Sequence, residues 1–268
     1  MPLSVCATPI GNLEDVTLRV LRELGEADVV LCEDTRRTRA LLSRHGLSPR
    51  LLSYHEHNEA KRVAELLPRL AAGERVALVT DAGLPGVSDP GPRLVAAALE
   101  AGVPVSVLPG PSAVETALVA SGFAAERYQF LGFLPRAEAA LTALWEELRH
   151  WPWATVAFDS PQRLPASLAS LARAQPERPV AVCRELTKVF EEVARGPAAA
   201  VARRFSEPPK GEVTLVVGPA DAAVAADDRH ALEAVAELVA AGSPRGVAAE
   251  VVARLTGTSR NRLYRGSL

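Results

Sequence analysis

The sequence predicts an α/β protein with two sheet-bearing halves, the first sheet mainly parallel and the second mixed, followed by a small all-α C-terminal part. Three observations predict it. Short apolar runs alternate with helical stripes through the first half, the pattern of parallel crossover units. In the second half, VAVCRELT and VFEEVARG follow one another with no room for a helix between them, which demands an antiparallel hairpin. Residues 229–268 carry helical patterns only.

The elements follow in order. LSVCATPI (3–10) is a strand, and the next helix shows the stripe Val16, Val20, Leu21, Leu24. DVVLCED (28–34) is a second strand and TRALLSRHG a short helix closing at Gly46. LLSYH (51–55) is a third strand. NEAKRVAELLPRLAAG is a helix with Val63, Leu66, Leu67 and Leu70 on one face, Asn58 as its N-cap and Gly73 just past its end. RVALVT (75–80), the helix GPRLVAAALEAG and VPVSVLPG (103–110) complete the alternation, with helices on both sheet faces. YQFLGF, ATVAFDS, VAVCRELT, VFEEVARG and EVTLVVG are the strands of the second half. Residues 220–228, ADAAVAADD, read as a linker. The tail reads as HALEAVAELVAAG, RGVAAEVVARLTG and TSRNRLYRGSL, a helix-turn-helix-like arrangement with Gly257 at the turn. The expected domains are 1–118, 119–219 and 220–268.

Composition narrows the function classes. A chain of 268 residues with 48% hydrophobic content supports two cores. No apolar run approaches the roughly 18 residues of a membrane span, and MPLSVCATPIGN reads as a first strand rather than a signal peptide, so no membrane partner is expected. Cys6, Cys32 and Cys183 are scattered in strand-like runs, which suits free thiols in a reducing compartment; a cytoplasmic location is expected. The net charge of −2 gives no global basic field. Lys61, Lys188 and Lys210 are the only lysines, so arginine at any one position carries little meaning by its identity alone.

No GxGxxG follows a strand, and neither GxxxxGK[ST] nor GxSxG is present. His55 and His57 could share a metal, but no cysteine clusters near them in sequence; a polar or substrate-contact pair is the plainer reading, and no metal is expected. What remains is three loops at the carboxyl ends of parallel strands: TPIGN (8–12), DAGLPGVSDPG (81–91) and LPGPSA (108–113). That edge is where open α/β sheets bind ligands. Glycines admit a ligand close to the backbone and prolines hold the loop shape. Asp81 can accept from an amine or hydroxyls, and N–H groups near Ser112 and Ala113 can receive a carboxylate. An amino-acid-bearing nucleoside suits this inventory better than a triphosphate, for which a cradling lysine is missing. The plain alternative is a set of tight turns, with Asp81 capping one.

These loops, in this order, resemble the tetrapyrrole methylase superfamily, S-adenosylmethionine-dependent methyltransferases. The resemblance is carried by ATPIGNLEDVTLR (7–19), EDTR (33–36), HEHNE (55–59), DAGLPGVSDPG, PGPSA (109–113), GFLPR (132–136), RELTK (184–188) and KGE (210–212). It spans about residues 3–218 plus the tail, and is closer still to a branch that methylates small-subunit ribosomal RNA. It implies two αβα domains with S-adenosyl-L-methionine in the cleft between them, leaving as S-adenosyl-L-homocysteine. It further implies 2′-O-methylation of a cytidine in the decoding region of 16S rRNA, within the small ribosomal subunit, by a homodimer. Carried over by motif, Asp81, Gly83, Leu84, Ser112 and Ala113 contact the cofactor, and Ile10 lines the cleft beneath the methyl group. Phe158, Leu186 and the segment around Lys210 close over the adenosine; FDSPQRL (158–164) stands where the family usually has a YES-type segment.

EDTRRTR (33–39) has two readings: a solvated helix start with acidic residues at its N-terminus, or a rim that grips RNA phosphates through Arg36 and Arg37. HEHNE, with Asn58, belongs to the same rim. WPW (151–153) reads as an inter-domain packing cluster rather than a base-stacking platform. A 2′-hydroxyl must lose its proton as the methyl moves; Glu33, Asp34 and His57 are the candidate bases, and the sequence does not choose among them. Residues 243–268 hold five arginines against one glutamate, so the tail, through Arg260 and Arg262, either contacts RNA or packs on the body. Two rivals stay open: a small-molecule methyltransferase of the same fold, and a DNA-binding regulator with a ligand-sensing body.

Overall fold

The computed structural model describes residues 2–220, 222–256 and 258–267, the side chains of 222–228 excepted. Packing divides the chain into two units. The first runs to Thr116 and includes the separate segment Glu185–Glu191; the second holds Ala117–Arg184 and the residues from Glu192 on.

The first unit alternates β1 (Leu3–Cys6), α1 (Leu18–Glu26), β2 (Val29–Cys32), α2 (Thr35–Arg44), β3 (Leu51–Ser53), α3 (Glu59–Ala71), β4 (Val76–Leu78), α4 (Pro92–Glu100) and β5 (Val105–Leu108), and then enters α5 (Ala113–Ser121), within which the division falls. The five strands lie in the order β3-β2-β4-β1-β5, every pair parallel. Successive strand residues face opposite sides. Leu3, Val5, Val29, Leu31, Val76 and Leu78 therefore pack beneath Leu66, Leu70 and Leu94 of α3 and α4. Cys6, Val30, Cys32, Ala77 and Val79 pack against Val20, Leu24 and Leu42 of α1 and α2 on the other side. Both faces are covered, as a parallel sheet requires.

Local chemistry sets the helix starts. Thr17 Oγ1 accepts from the Val20 N–H at 3.2 Å, and Asp34 Oδ1 from the Arg36 N–H at 2.8 Å. Asn58 departs from expectation: its side chain makes no cap bond to α3. Its Oδ1 accepts from the His55 N–H at 2.9 Å and its amide nitrogen donates to the Ser53 carbonyl at 3.2 Å, so it closes the turn before the helix instead. Gly73 follows α3 at φ +89°, the left-handed stop read from sequence.

The second unit holds β6 (Tyr128–Phe133), α6 (Glu138–Leu148), β7 (Ala154–Asp159), α7 (Leu164–Ala174), β8 (Pro179–Arg184), β9 (Glu192–Pro197), α8 (Ala198–Arg204) and β10 (Val213–Val217). Its strand order is β6-β7-β10-β8-β9, with β6–β7 parallel and the other pairs antiparallel. The expected hairpin is β8–β9, paired from Pro179↔Pro197 to Arg184↔Glu192. Trp145, Leu164, Leu168, Val182 and Leu215 are among its core residues. Trp151 and Trp153 meet edge to face at 5.2 Å, and the Arg127 guanidinium lies 5.2 Å from the Trp153 ring centroid, a packing cluster within this unit.

The tail is α9 (Ala222–Ala240), α10 (Arg245–Thr256) and α11 (Arg260–Gly266), closed around Ala231, Val235, Ala248, Val252 and Leu263. Helix α9 begins inside the stretch read as a linker: ADAAVAADD is alanine-rich, and alanine is the strongest helix former. Gly257, the expected turn residue, lies outside the described residues. Among the described residues, no helix is long and apolar enough to cross a membrane. Cys6, Cys32 and Cys183 are buried and form no disulfide, and burial pushes the Cys6 thiol up to about 12.

Arg178 joins the second unit from inside. It is 5% exposed, and its guanidinium donates to Gly218 O (2.8 Å), Arg149 O (3.2 Å), Trp151 O (3.1 Å) and Gln175 Oε1 (3.2 Å). Burial lowers it to about 10, so it stays cationic at neutral pH. Arg178→Met leaves these acceptors unpaired, and the expected loss is at least about 2 kcal/mol in urea denaturation.

Candidate active site

Because β1 to β5 are parallel, their carboxyl ends meet at one edge, and the loops leaving them converge there. Thr8 and Gly83 exchange backbone hydrogen bonds at 2.8 and 3.0 Å, an isolated antiparallel bridge between the loops after β1 and β4. The Thr8 hydroxyl donates to the Thr80 carbonyl at 3.0 Å. A Cβ on Gly110, after β5, would stand 2.9 Å from Ala7 Cβ. TPIGN, DAGLPGVSDPG and LPGPSA are therefore one surface. Gly83 sits at φ +81°, and a Cβ built there would find its nearest neighbours, Ile10 Cγ2 and the Pro111 carbonyl, at 3.9 Å. Its backbone is bare on that side, which suits a ligand's close approach. Ile10 is buried, Leu84 is half-buried against the core, and α5 opens at Ala113, so Ser112 and Ala113 stand at a helix N-terminus. The Ser112 hydroxyl donates to Glu115.

Gly11 is required by crowding rather than by a ligand. A Cβ there would fall 2.6 Å from the Leu186 carbonyl and 2.7 Å from Thr187 Oγ1. The Asn12 N–H donates to that same Oγ1 at 3.0 Å. This packing seats Leu186, 7% exposed, in the first unit. Glu185 and Thr187 adopt positive φ, 52° and 65°, and are held there by Lys188 Nζ on Glu185 at 2.8 Å and the Thr187 N–H on Glu191 at 2.6 Å.

The carboxylates at this edge differ sharply. Asp81 accepts the Asp34 N–H at 3.0 Å and pairs with Arg37 at 3.3 Å, so one residue ties the β2 loop to the β4 loop. A carboxylate has about four acceptor sites, which leaves room for a ligand. Asp34 caps α2 and is clamped by Arg36, whose Nη2 donates at 2.8 Å; these bonds hold its carboxyl well below the usual range and make it a poor proton acceptor. Glu33 is exposed, yet partial desolvation pushes it up and the Asp81 charge adds to the rise, while Thr80, Arg37 and His55 oppose it. His57 is exposed, with its ring 5.9 Å from that of His55. Glu33 is thus raised where its neighbour Asp34 is held low.

The structure adds residues that the sequence did not single out. Asp89 is half-buried and raised to about 6, first by burial and then by Glu33 and Asp81, with Thr80 opposing. The Thr80 hydroxyl, in a residue only 3% exposed, lies between the Glu33 and Asp89 carboxyls and completes a hydrogen bond of full geometry with neither. Glu59 of HEHNE holds the end of the same loop, accepting from Tyr54 Oη at 2.7 Å and the Gly91 N–H at 3.2 Å. Among the described residues no cluster of His, Cys, Asp and Glu could hold a metal.

Arg36 and Arg37 are 87% and 64% exposed, so their ion pairs can be exchanged for phosphate. Two of the residues expected to contact RNA have partners within the chain. Asn58 is engaged in its own turn, its amide nitrogen also 3.1 Å from His55 Nε2. Arg262 donates to the carbonyls of Glu147 (3.3 Å) and His150 (2.9 Å), capping the end of α6 where a cation is favoured; it docks the tail on the body. Arg260 stays more than half exposed, 3.8 Å from Glu250.

In the second unit, Phe158 stacks edge to face with Phe130 (5.0 Å) and Phe133 (5.6 Å). Beside it the buried Asp159 accepts from the Ser160 N–H (2.8 Å) and Ser167 Oγ (2.6 Å) and pairs with Arg163 (2.6 Å). FDSPQRL thus anchors the start of α7. The Lys210 carbonyl accepts from Arg184 at 3.0 Å.

The fold and the glycine-lined edge define a methylase of the tetrapyrrole type: residues 2–202 match the family described as Tetrapyrrole (Corrin/Porphyrin) Methylases. Among solved structures, the chain resembles a uroporphyrin-III C-methyl transferase from Thermus thermophilus, complexed with S-adenyl homocysteine, at a TM-score of 0.56 and 21% identity, covering 81% of this chain and 96% of that one. Curated relatives narrow the family. A ribosomal RNA small subunit methyltransferase I from Mesorhizobium japonicum is 45% identical over 98% of this chain and 90% of its own length. The protein of the same name from Micromonospora olivasterospora is 44% identical over 98% of this chain and 85% of its own. The chain belongs to the ribosomal RNA small subunit methyltransferase I family.

Gly11→Ala is expected to lower stability by about 1–3 kcal/mol through overpacking. It should also dislodge Glu185–Glu191, so limited trypsin digestion should cut after Lys188 faster than in the parent.

Proposed function

We propose that this protein transfers a methyl group from S-adenosyl-L-methionine to a cytidine 2′-oxygen in the decoding region of 16S rRNA within the small ribosomal subunit. The convergence of the three loops at one sheet edge carries the reading, and kinship with small-subunit rRNA methyltransferases supports the substrate. When bound, the cofactor supplies an electrophilic methyl on a sulfonium and leaves as S-adenosyl-L-homocysteine.

The chain's own residues bind, orient and exclude. The bare backbone at Gly83 and the flank of Leu84 accept the nucleoside, while Ile10 supplies an apolar wall. N–H groups at Ser112 and Ala113, at the start of α5, meet the amino-acid carboxylate. Asp81 accepts from the amine or a ribose hydroxyl with the lone pairs left by Asp34 and Arg37. Phe158, Leu186 and the segment around Lys210 contribute the remaining contacts to the adenosine. Arg36 and Arg37, at the same edge of the first unit, exchange their partners for RNA phosphates, and Arg260 adds a contact from the tail. Holding hydroxyl and methyl in line supplies much of the acceleration. The protein acts in the cytoplasm as a homodimer, a state that light scattering measures.

Two outcomes are expected. Incubation with labelled S-adenosyl-L-methionine and 30S subunits lacking the modification should label one cytidine at its 2′-oxygen; no transfer there refutes the proposal. Asp81→Ala should weaken cofactor binding by at least about tenfold in calorimetry with an unchanged circular dichroism spectrum, because one charge-assisted hydrogen bond is lost.

A further inference from the structure

We infer that Asp89 is the catalytic base, taking the proton of the substrate hydroxyl, with Thr80 setting its readiness from beneath and Glu33 beside it. The inference rests on the methyl-transfer reading above and deepens it.

The geometry comes first. Asp89 belongs to the β4 loop that also carries Gly83 and Leu84, so it stands at the edge where the loops converge. Its loop is pinned at both ends: Gly83 to Thr8 by two backbone hydrogen bonds, and the Gly91 N–H to Glu59 at 3.2 Å. Ser88, immediately before it, is held at φ 65°, a conformation costly for serine. Beneath lies the Thr80 hydroxyl, buried and near Asp89 and Glu33 without a hydrogen bond of full geometry to either. An unpaired buried hydroxyl is costly to keep. It is accounted for if it steers a carboxylate whose geometry tightens only when substrate arrives, because catalytic hydrogen bonds are often loose in the unliganded state.

The electrostatics agree. Asp89 faces Glu33 from the end of β2 and Asp81 from the end of β4, both of which favour its protonated form. Glu33 and Asp81 are themselves tempered by Arg37 of α2, and Glu33 by His55 from the end of β3. The group titrates at about 6, so at neutral pH it is mostly ionised and still basic enough to be useful. Asp34 is clamped by Arg36, and of the remaining groups Asp89 is half-buried where Glu33 and His57 are exposed.

The step balances. As the ribose O2′ forms its bond to the methyl carbon, the carbon–sulfur bond breaks and its electron pair stays on sulfur. The O2′ proton passes to a carboxylate oxygen of Asp89, and water later removes it.

The test uses the full chain. Wild type should show single-turnover methyl transfer to 30S subunits that falls as pH drops through about 6, as Asp89 becomes protonated. Asp89→Asn should lose about 100-fold or more in rate, keep its affinity for S-adenosyl-L-methionine and lack the acid limb. Thr80→Val, which removes the hydroxyl and keeps the side chain's shape, should fold normally and move the acid limb to higher pH, because the hydroxyl favours ionised Asp89. Carbon-13 carboxyl NMR of the unliganded protein should show the same upward move in the Asp89 titration. An Asp89→Asn rate within about threefold of wild type overturns the assignment, as does an acid limb that Thr80→Val leaves in place. If wild type labels no cytidine 2′-oxygen, the methyl-transfer reading falls and this one with it; a competent wild type beside an unimpaired Asp89→Asn removes this one alone.

Discussion

The backbone exchange between Thr8 and Gly83 is the constraint on which the active edge depends. Neither residue lies in a regular strand, yet each donates to the other, and the 3%-exposed Thr8 hydroxyl adds a bond to the Thr80 carbonyl. These bonds hold the β4 loop against the β1 loop after the sheet ladder has ended. From there the chain turns at Gly83 with its backbone bare, and Ile10 and Pro111 come to within reach of that point. Beyond the exchange, Glu59 holds the far end of the loop carrying Asp81 and Asp89, and Asp81 links it to the β2 loop. Buried backbone bonds of this kind contribute about 1 kcal/mol each, but a lost one leaves an unpaired group whose cost is larger.

Burial, more than charge count, separates the carboxylates of this edge. Asp34 and Asp81 each meet an arginine; Asp89, half-buried, sits beside two other acids. Desolvation disfavours its ionised form, and like charges push in the same direction. One short loop therefore holds an arginine-paired acid at its start and, near its end, an acid raised to about 6. The division follows from sheet order: β2 lies next to β4, so Glu33 and Asp34 come to rest beside Thr80 and Asp81.

That adjacency is what the sequence could not show. The alternation of elements, the β8–β9 hairpin and the loops at the sheet edge were legible, because each follows from local periodicity or spacing. Partners distant in sequence were not. Thr80 reads as the end of an apolar run, and Asp89 as one acid in a turn-rich loop, until the strand order sets them together. Asn58 looked like a helix cap because its type and position fit one, but the Ser53–His55 turn competed successfully for its side chain. ADAAVAADD looked like a linker because it lacks a helical stripe, whereas its alanines favour helix without one.

The arginines make the same point about context. Their abundance against three lysines says nothing about any one of them. Arg178, buried among carbonyls, cannot leave without stranding its acceptors, and Arg262 closes the end of α6 in the same manner. Arg36, 87% exposed on Asp34, forms a solvent-screened pair that a phosphate can displace at little cost. Arg37 is less free, because releasing Asp81 raises the negative charge that Glu33 and Asp89 feel. On the proposed reading, an RNA phosphate that draws Arg37 away removes a charge that lowers the proton affinity of Glu33, which ties the grip on RNA to the carboxyls of this edge.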